Sequence, residues 1–360
     1  MNIVIAGGGT GGHLFPGMAI AGELMRKNPE NRIVFIGTRQ GIESRILPKR
    51  GYTLRTITVK GFKGKGLLNK IKALLCIPFS FAQSIHYIRK NQTDIIVGLG
   101  GYISFPAILA GKILRVPTAI HEQNSYPGLS NRLLGKIADR IFISRRESAA
   151  FFSRKKVILT GLPIRPEFIT NRSRQKSGVF TILVIGGSQG SRQINQAVMD
   201  ALPKLTRIKE RICFIHQSGD NDRKTLMACY QQNIIHAEVY NFIDDMYSCY
   251  RNADLVISRA GASTLAEIAL CGKASILIPY PHAANNHQEM NARAFVEEGA
   301  SVMILSQRLT GDKLASIIIN LENRPEQISR MAEQAKTLSK PKAGERIADE
   351  CYKLANKKQA

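Results

Sequence analysis

Ile3-Val4-Ile5-Ala6-Gly7-Gly8-Gly9-Thr10-Gly11-Gly12-His13 and Phe180-Thr181-Ile182-Leu183-Val184-Ile185-Gly186-Gly187-Ser188-Gln189-Gly190 share one plan, a short apolar run that breaks into glycines. A buried strand that delivers the chain through a glycine turn into a helix is the opening of a Rossmann-like unit. Its appearance twice in 360 residues predicts two such units with a cleft between them.

Working outward from the first run, strands are expected at 3–7, 32–37, 94–98, 117–121 and 140–143. Helices are expected at 15–27, 42–49, 67–90, 104–114 and 127–137. The second run is followed by strand patterns near 212–216, 237–240, 254–257, 274–278 and 301–304, then by a mainly helical end at 310–357. Short apolar runs alternating with helical periodicity give parallel βαβ units and doubly wound sheets, an α/β fold. The turn-rich Thr160-Gly161-Leu162-Pro163-Ile164-Arg165-Pro166 and the polar, basic 171–177 mark the junction. The expected domains are therefore 1–163 and 164–340.

Composition narrows the function classes. Hydrophobic residues at 44% and charged residues at 22% are those of a chain with a full core rather than a disordered one. Lys and Arg number 51 against 27 Asp and Glu, a net charge of +24. Such a surface attracts nucleic acid, phosphorylated substrates or an anionic leaflet, unless it reflects a lysine-rich background. Nucleic acid is disfavoured, because aromatics are 7%, Trp is absent and no basic stretch is interleaved with stacking rings. The six cysteines form no Cys-x-x-Cys pair, so neither a zinc site nor a disulfide framework is expected. The first residues lack the basic region of a secretory signal. No apolar run reaches the roughly 18–20 residues of a spanning helix, so any membrane contact is expected to be peripheral.

Four segments carry candidate chemistry. Gly7 to Gly12 formally matches a dinucleotide turn. That fold, however, wants an acid about 20 residues on, and here the second strand runs into Thr38-Arg39-Gln40. NAD is thus disfavoured, although an Arg suits NADP. His13 at the end of this turn titrates near neutrality and can take a proton from a hydroxyl; packing or capping is the alternative. The turn at 186–191 lacks the Lys of a P-loop, and its Ser188 and following amides suit a diphosphate or simply a tight turn. In Ser258-Arg259-Ala260-Gly261-Ala262-Ser263-Thr264-Leu265-Ala266-Glu267, the Glu267 carboxylate can accept from two ribose hydroxyls, or lie on a surface helix. His121-Glu122-Gln123-Asn124 reads as four polar residues ill-suited to a core and able to hydrogen-bond a sugar, with Asn124 otherwise a cap before Pro127-Gly128. The one Asp-x-Asp, Asp220-Asn221-Asp222, reads as an exposed loop rather than a metal–diphosphate motif.

A fifth segment, 60–81, joins a basic, glycine-punctuated stretch (Lys60 to Lys72) to the apolar Ala73-Leu74-Leu75-Cys76-Ile77-Pro78-Phe79-Ser80-Phe81. A peripheral face needs both parts, charge for lipid phosphates and apolar surface for insertion; a glycine loop beside a core helix is the alternative.

The ordered set Gly8–His13, Gly100-Gly101-Tyr102, His121–Asn124, Gly186–Gly190, Phe242-Ile243-Asp244-Asp245-Met246, Ser258–Thr264 and His287-Gln288 resembles the MurG family over roughly 2–340. These are peptidoglycan transferases that add N-acetylglucosamine to lipid I. The resemblance implies a GT-B architecture, with the acceptor on the first domain and the UDP sugar on the second. It also implies a last helix (341–360) packing back on the first domain. Carried over by motif, Thr10, Gly11 and Gly12 approach the donor and Asn124 contacts the sugar. Arg165 and Ser188 reach the diphosphate, and Ile243 packs at the uracil. Ala262, Ser263, Thr264, Leu265, Ala266 and Glu267 hold diphosphate and ribose, and Gln288 meets the sugar hydroxyls. The implied reaction inverts the donor linkage in one displacement. His13 is its leading base, and Glu122 is the runner-up or an orienting group. No metal or other cofactor is called for. The implied partners are UDP-N-acetylglucosamine, lipid I and an anionic membrane surface, at the cytoplasmic face of the inner membrane, with room for other cell-wall synthesis and division proteins. The nearest rival is a UDP-sugar epimerase of the same architecture, which has no use for the 60–81 face.

Overall fold

Apolar runs without polar alternation belong to strands covered on both faces. Ile3 and Ile5 are fully buried in one core with Leu14, Ile20 and Leu24, while Val4 and Ala6 enter another with Ile103, Ala107 and Ile108. In this computed structural model the described residues are 1–59, 67–165, 168, 178–187 and 190–357, with the backbone alone described over 67–75. Ser188, the basic 60–66 and the junction stretch 171–177 lie outside the described residues.

The chain forms two units, Met1–Pro166 with Lys340–Ala360, and Glu167–Ser339. The division falls after Pro166 rather than after Pro163, so Arg165 belongs to the first unit. That unit has strands β1 (Asn2–Ala6), β2 (Arg32–Gly37), β3 (Thr53–Thr56), β4 (Ile95–Gly98), β5 (Thr118–Glu122), β6 (Arg140–Ile143) and β7 (Val157–Leu159). Its helices are α1 (Gly11–Lys27), α2 (Glu43–Lys49), α3 (Leu67–Lys90), α4 (Gly101–Ile113) and α5 (Leu129–Ile137). All seven strands are parallel, in the order β3-β2-β1-β4-β5-β6-β7. The edge strands β3 and β7 were not among the expected ones. They are short and only half-buried, so neither carries a clear apolar pattern. α1 and α4 begin three to four residues earlier than expected, because their first turns are built from glycines that read as loop.

The second unit has β8 (Phe180–Ile185), β9 (Ile212–Gln217), β10 (Ala237–Tyr240), β11 (Leu255–Ser258), β12 (Ala274–Leu277) and β13 (Ser301–Met303), all parallel in the order β10-β9-β8-β11-β12-β13. Its helices are α6 (Arg192–Leu205), α7 (Arg223–Gln232), α8 (Met246–Asn252), α9 (Ala262–Cys271), α10 (His287–Glu297), α11 (Gly311–Glu322) and α12 (Pro325–Thr337). The chain then returns to the first unit as α13 (Ala343–Asn356). Ile347, Ala348 and Cys351 of α13 are buried against α1, Asn31 donates to the Tyr352 hydroxyl at 2.8 Å, and Lys27 pairs with Asp349.

Strand order fixes where ligands can enter. In an open parallel sheet the loops leaving the carboxyl ends part company where the order reverses, and the crevice opens there. That point lies between β1 and β4 in the first sheet and between β8 and β11 in the second. Both pairs of glycine turns, 7–12 with 98–101 and 186–190 with 259–261, leave these four strands.

Candidate active site

The first glycine turn already holds an anion, and it is part of the protein. Glu43 is fully buried, and its carboxylate accepts from Gly9 N–H (2.7 Å), Thr38 N–H (2.8 Å) and Thr38 Oγ1 (2.7 Å). The fit is close: a Cβ on Gly8 would lie 2.5 Å from the Glu43 carboxyl carbon, and one on Gly41 2.1 Å from its oxygen. A dinucleotide turn of this kind offers its amides to a pyrophosphate. Here an internal carboxylate takes the Gly9 amide and places negative charge under the turn. The dinucleotide reading loses its site for that reason. Sequence reasoning missed Glu43, which stands just beyond the Thr38-Arg39-Gln40 segment where a ribose acid was sought.

His13 sits on the first turn of α1, half-buried, its N–H donating to Thr10 O at 3.2 Å. Its ring lies against Gly101, where an added Cβ would be 3.7 Å from Nε2. The two turns at the β1/β4 reversal therefore meet around this imidazole. Tyr102 joins them with its hydroxyl beside Gly9. Burial, and then the Glu43 charge, raise its phenol above the ordinary value, so it stays a neutral donor. Thr10 and Gly12 are exposed, and Gly11 is half-buried.

His121-Glu122-Gln123 corrects an expectation. These three residues are interior, and only Asn124 reaches partial exposure. They are tolerated because the fold supplies them with partners from within, although Gln123 Oε1 is left without one among the described residues. Glu122 accepts at one oxygen from Asn124 N–H (2.9 Å) and Nδ2 (3.3 Å), and at the other from Asn131 Nδ2 (2.8 Å) and Gly128 N–H (3.3 Å). Burial still pushes its pKa up, against those donors. His121 lies between Gln123 Nε2 at Nδ1 and Gly161 O at Nε2, both 3.2 Å, which assigns one neutral tautomer. Burial, against the hydrogen bond to Gly161 and helped by the charge of His13, lowers its pKa to about 4. Arg165 lays its guanidinium 5.6 Å from the centre of the Phe15 ring, two residues along α1 from His13.

In the second unit Arg259 is the hub, and it was quoted in the sequence without being singled out. It donates to Ile278 O (3.1 Å), Pro279 O (3.3 Å), Ser306 Oγ (3.1 Å), Ser191 Oγ (2.9 Å) and Gln193 Oε1 (3.1 Å), and lies over the Tyr280 ring at 5.6 Å. It so ties the end of β11 to Ser191, the cap of α6, and to the strand end after β12. Gln288 is drawn into the same cluster, its Oε1 accepting from Tyr280 N–H at 2.9 Å. Ala262 to Glu267 form the first turn and a half of α9, whose cap Gly261 contributes no side-chain bond. Ala262, Ser263, Thr264, Ala266 and Glu267 are half-exposed, whereas the Leu265 side chain is core. Ser263 Oγ is buried and has no hydrogen-bond partner among the described residues. Ile243 is nearly buried, its N–H bonded to Gln217 Oε1 at 2.9 Å. Asp222, of the Asp-x-Asp, accepts from Asn195 Nδ2 at 2.7 Å.

The chain matches the glycosyltransferase family 28 N-terminal domain over residues 3–143 and the glycosyltransferase family 28 C-terminal domain over 181–347. It is 47% identical over 356 residues to the UDP-N-acetylglucosamine–N-acetylmuramyl-(pentapeptide) pyrophosphoryl-undecaprenol N-acetylglucosamine transferase of Myxococcus xanthus, covering 98% of this chain and 93% of that one. The protein of the same name from Thermodesulfovibrio yellowstonii is 46% identical over 366 residues, with 100% of both chains covered. Among solved structures, Acinetobacter baumannii MurG superposes with a TM-score of 0.79 at 27% identity, over 98% of this chain and 99% of that one. These likenesses bear out the resemblance and the two-Rossmann-unit fold class read from the motifs.

Proposed function

The chain belongs to glycosyltransferase family 28, and we infer that it transfers N-acetylglucosamine from UDP-N-acetylglucosamine to the muramyl 4-hydroxyl of undecaprenyl-pyrophosphoryl-MurNAc-pentapeptide, lipid I, forming lipid II. The observation that carries the site reading is the unequal furnishing of the two strand-order reversals. At β1/β4 stand a histidine and a tyrosine over a turn that already holds a carboxylate. At β8/β11 stand two helix N-termini, a half-buried Arg and a serine hydroxyl that has no partner among the described residues. The first suits a neutral hydroxyl acceptor, the second an anionic donor.

The reaction is one in-line displacement. The acceptor oxygen attacks C1 of the sugar, the bond from C1 to the diphosphate oxygen breaks, and UDP departs with the electron pair. His13 takes the hydroxyl proton as the bond forms. Negative charge growing on the diphosphate meets the N-termini of α6 and α9, with Arg165 and Ser188 assigned to the same group. Ser263 and Thr264 extend that set, Glu267 takes the ribose, and Gln288 takes sugar hydroxyls through its amide nitrogen. Glu122 acts as a positioning residue: with both oxygens engaged it holds Asn124 and the 124–128 turn, and Asn124 in turn holds the sugar. Thr10, Gly11 and Gly12 line the approach from the His13 side.

The membrane reading draws support from the first unit. Phe79 on α3 (57% exposed), Ile113 on α4 and Leu129 and Leu133 on α5 lie exposed on three helices packed side by side. Lys112, Arg115 and Lys136 are exposed among them. No helix of the described residues is long and apolar enough to cross a membrane. We place the protein on the anionic, cytoplasmic leaflet, docked through this set.

The deciding experiment follows labelled N-acetylglucosamine from UDP onto a short-chain lipid I analogue, with His13→Ala alongside wild type. Transfer by wild type, and a loss of at least about 10²-fold in the variant at unchanged UDP binding, is the expected result. Turnover of the donor by wild type without any acceptor would move the reading to the epimerase.

A further inference from the structure

We propose that Gln217 is the positioning residue that joins the two ends of the nucleotide site, holding the uracil-side peptide at Ile243 and the glycine turn at Gly187 in one register. The inference rests on the donor-site reading above. Gln217 ends β9, and its side chain is 1% exposed. Its Nε2 donates to Gly187 O at 2.7 Å, and its Oε1 accepts from Ile243 N–H at 2.9 Å. The next two residues continue the tie: Ser218 N–H donates to Tyr240 O at 2.9 Å and Gly219 N–H to Asn241 O at 3.2 Å. The segment 240–243 thus hangs from the end of β9, as does the start of the glycine turn at Gly187.

The chemistry of the position admits few side chains. One arm needs a donor and the other an acceptor, both without charge in the interior, and a primary amide supplies both. A carboxylate keeps the acceptor and loses the donor; a thioether of the same length loses both.

The test measures UDP affinity by calorimetry, and the Michaelis constants for both substrates, in wild type, Gln217→Met and Gln217→Glu, with thermal melting as a check of folding. In Gln217→Met, UDP affinity is expected to fall about tenfold and KM for UDP-N-acetylglucosamine to rise alike, since two buried groups lose their partner. KM for the lipid-linked acceptor stays put. Gln217→Glu is expected to weaken UDP less than Gln217→Met does, because Ile243 N–H retains its acceptor. Folded variants that bind UDP like wild type, or that lose donor and acceptor equally, overturn the proposal. Should Gln217→Met not fold, the UDP affinity of Gln217→Glu decides alone, an unchanged value counting against the proposal. Wild type that does not bind UDP at all overturns the donor-site reading itself, and the proposal with it.

Discussion

Glu43 and the two buried histidines show how much single residues carry. Removing the Glu43 carboxylate strands Gly9 N–H, Thr38 N–H and Thr38 Oγ1, and each orphaned interior group costs about 1–3 kcal/mol. Glu43→Ala is therefore expected to lower stability by at least about 3 kcal/mol in urea unfolding, and to cut transfer because the turn bearing His13 loses its anchor. The histidines act through pH. His216 accepts from the Tyr230 hydroxyl at 3.0 Å and donates to Asn195 Oδ1 at 3.1 Å, and burial lowers its pKa to about 3. His121 lies at about 4. A native pKa below the unfolded value of 6.5 means that on acidification the unfolded chain binds a proton the native one refuses. Their contribution is present in full above 6.5 and is lost as pH falls, at up to about 1.4 kcal/mol per pH unit for each group. Urea midpoints measured from pH 7.5 down to 4.5 should drop steadily below 6.5 and stay level above it.

At the scale of elements, what matters is how a strand hands over to a helix. Gly101 opens α4 at φ +72° and forms the wall beside His13. Gly101→Ala forces an L side chain into the left-handed region, at about 1–2 kcal/mol, yet leaves ordinary van der Waals room. It should fold, melt slightly lower and transfer more slowly with UDP affinity intact. Gly190 stands at φ +75° with Ser218 O only 2.1 Å from where its Cβ would be. Gly190→Ala must move the β9 end as well, so it should lose UDP binding outright, which calorimetry would register. The exposed apolar residues of α3 and α5 work as a pair of faces rather than one by one. Phe79→Glu combined with Leu129→Glu is expected to abolish sedimentation with vesicles rich in anionic lipid while leaving transfer to a water-soluble acceptor analogue unchanged.

Across the whole molecule, one strand order serves twice, and the first unit also takes in the last helix of the chain. Cutting the chain after Lys342 removes Ile347, Ala348 and Cys351 from a core they share with Leu14 and Ile20. Losses of this size, several kcal/mol per large side chain, should leave the first unit unfolded or markedly less stable by calorimetry. Much of the architecture was legible in the chain itself. The two strand-to-glycine openings, the parallel class and most strand positions follow from short apolar runs, because a strand buried on both faces has no polar residue to interrupt it. The helices that follow the glycine turns were legible for the same local reason, but their first turns at Gly11 and Gly101 read as loop. The tertiary structure alone decided which polar groups belong to the interior. Glu43 meets Gly9 across 34 residues, Gln217 meets Gly187 and Ile243 across 30 and 26, and Arg259 meets Ser191 across 68. Glu122 looked too polar for a core until its nearer partners, Asn124, Gly128 and Asn131, were in place. A hydrogen bond between distant segments leaves no period in the sequence, and the cost of burying a charge or an amide is offset only when the fold brings its partner to it.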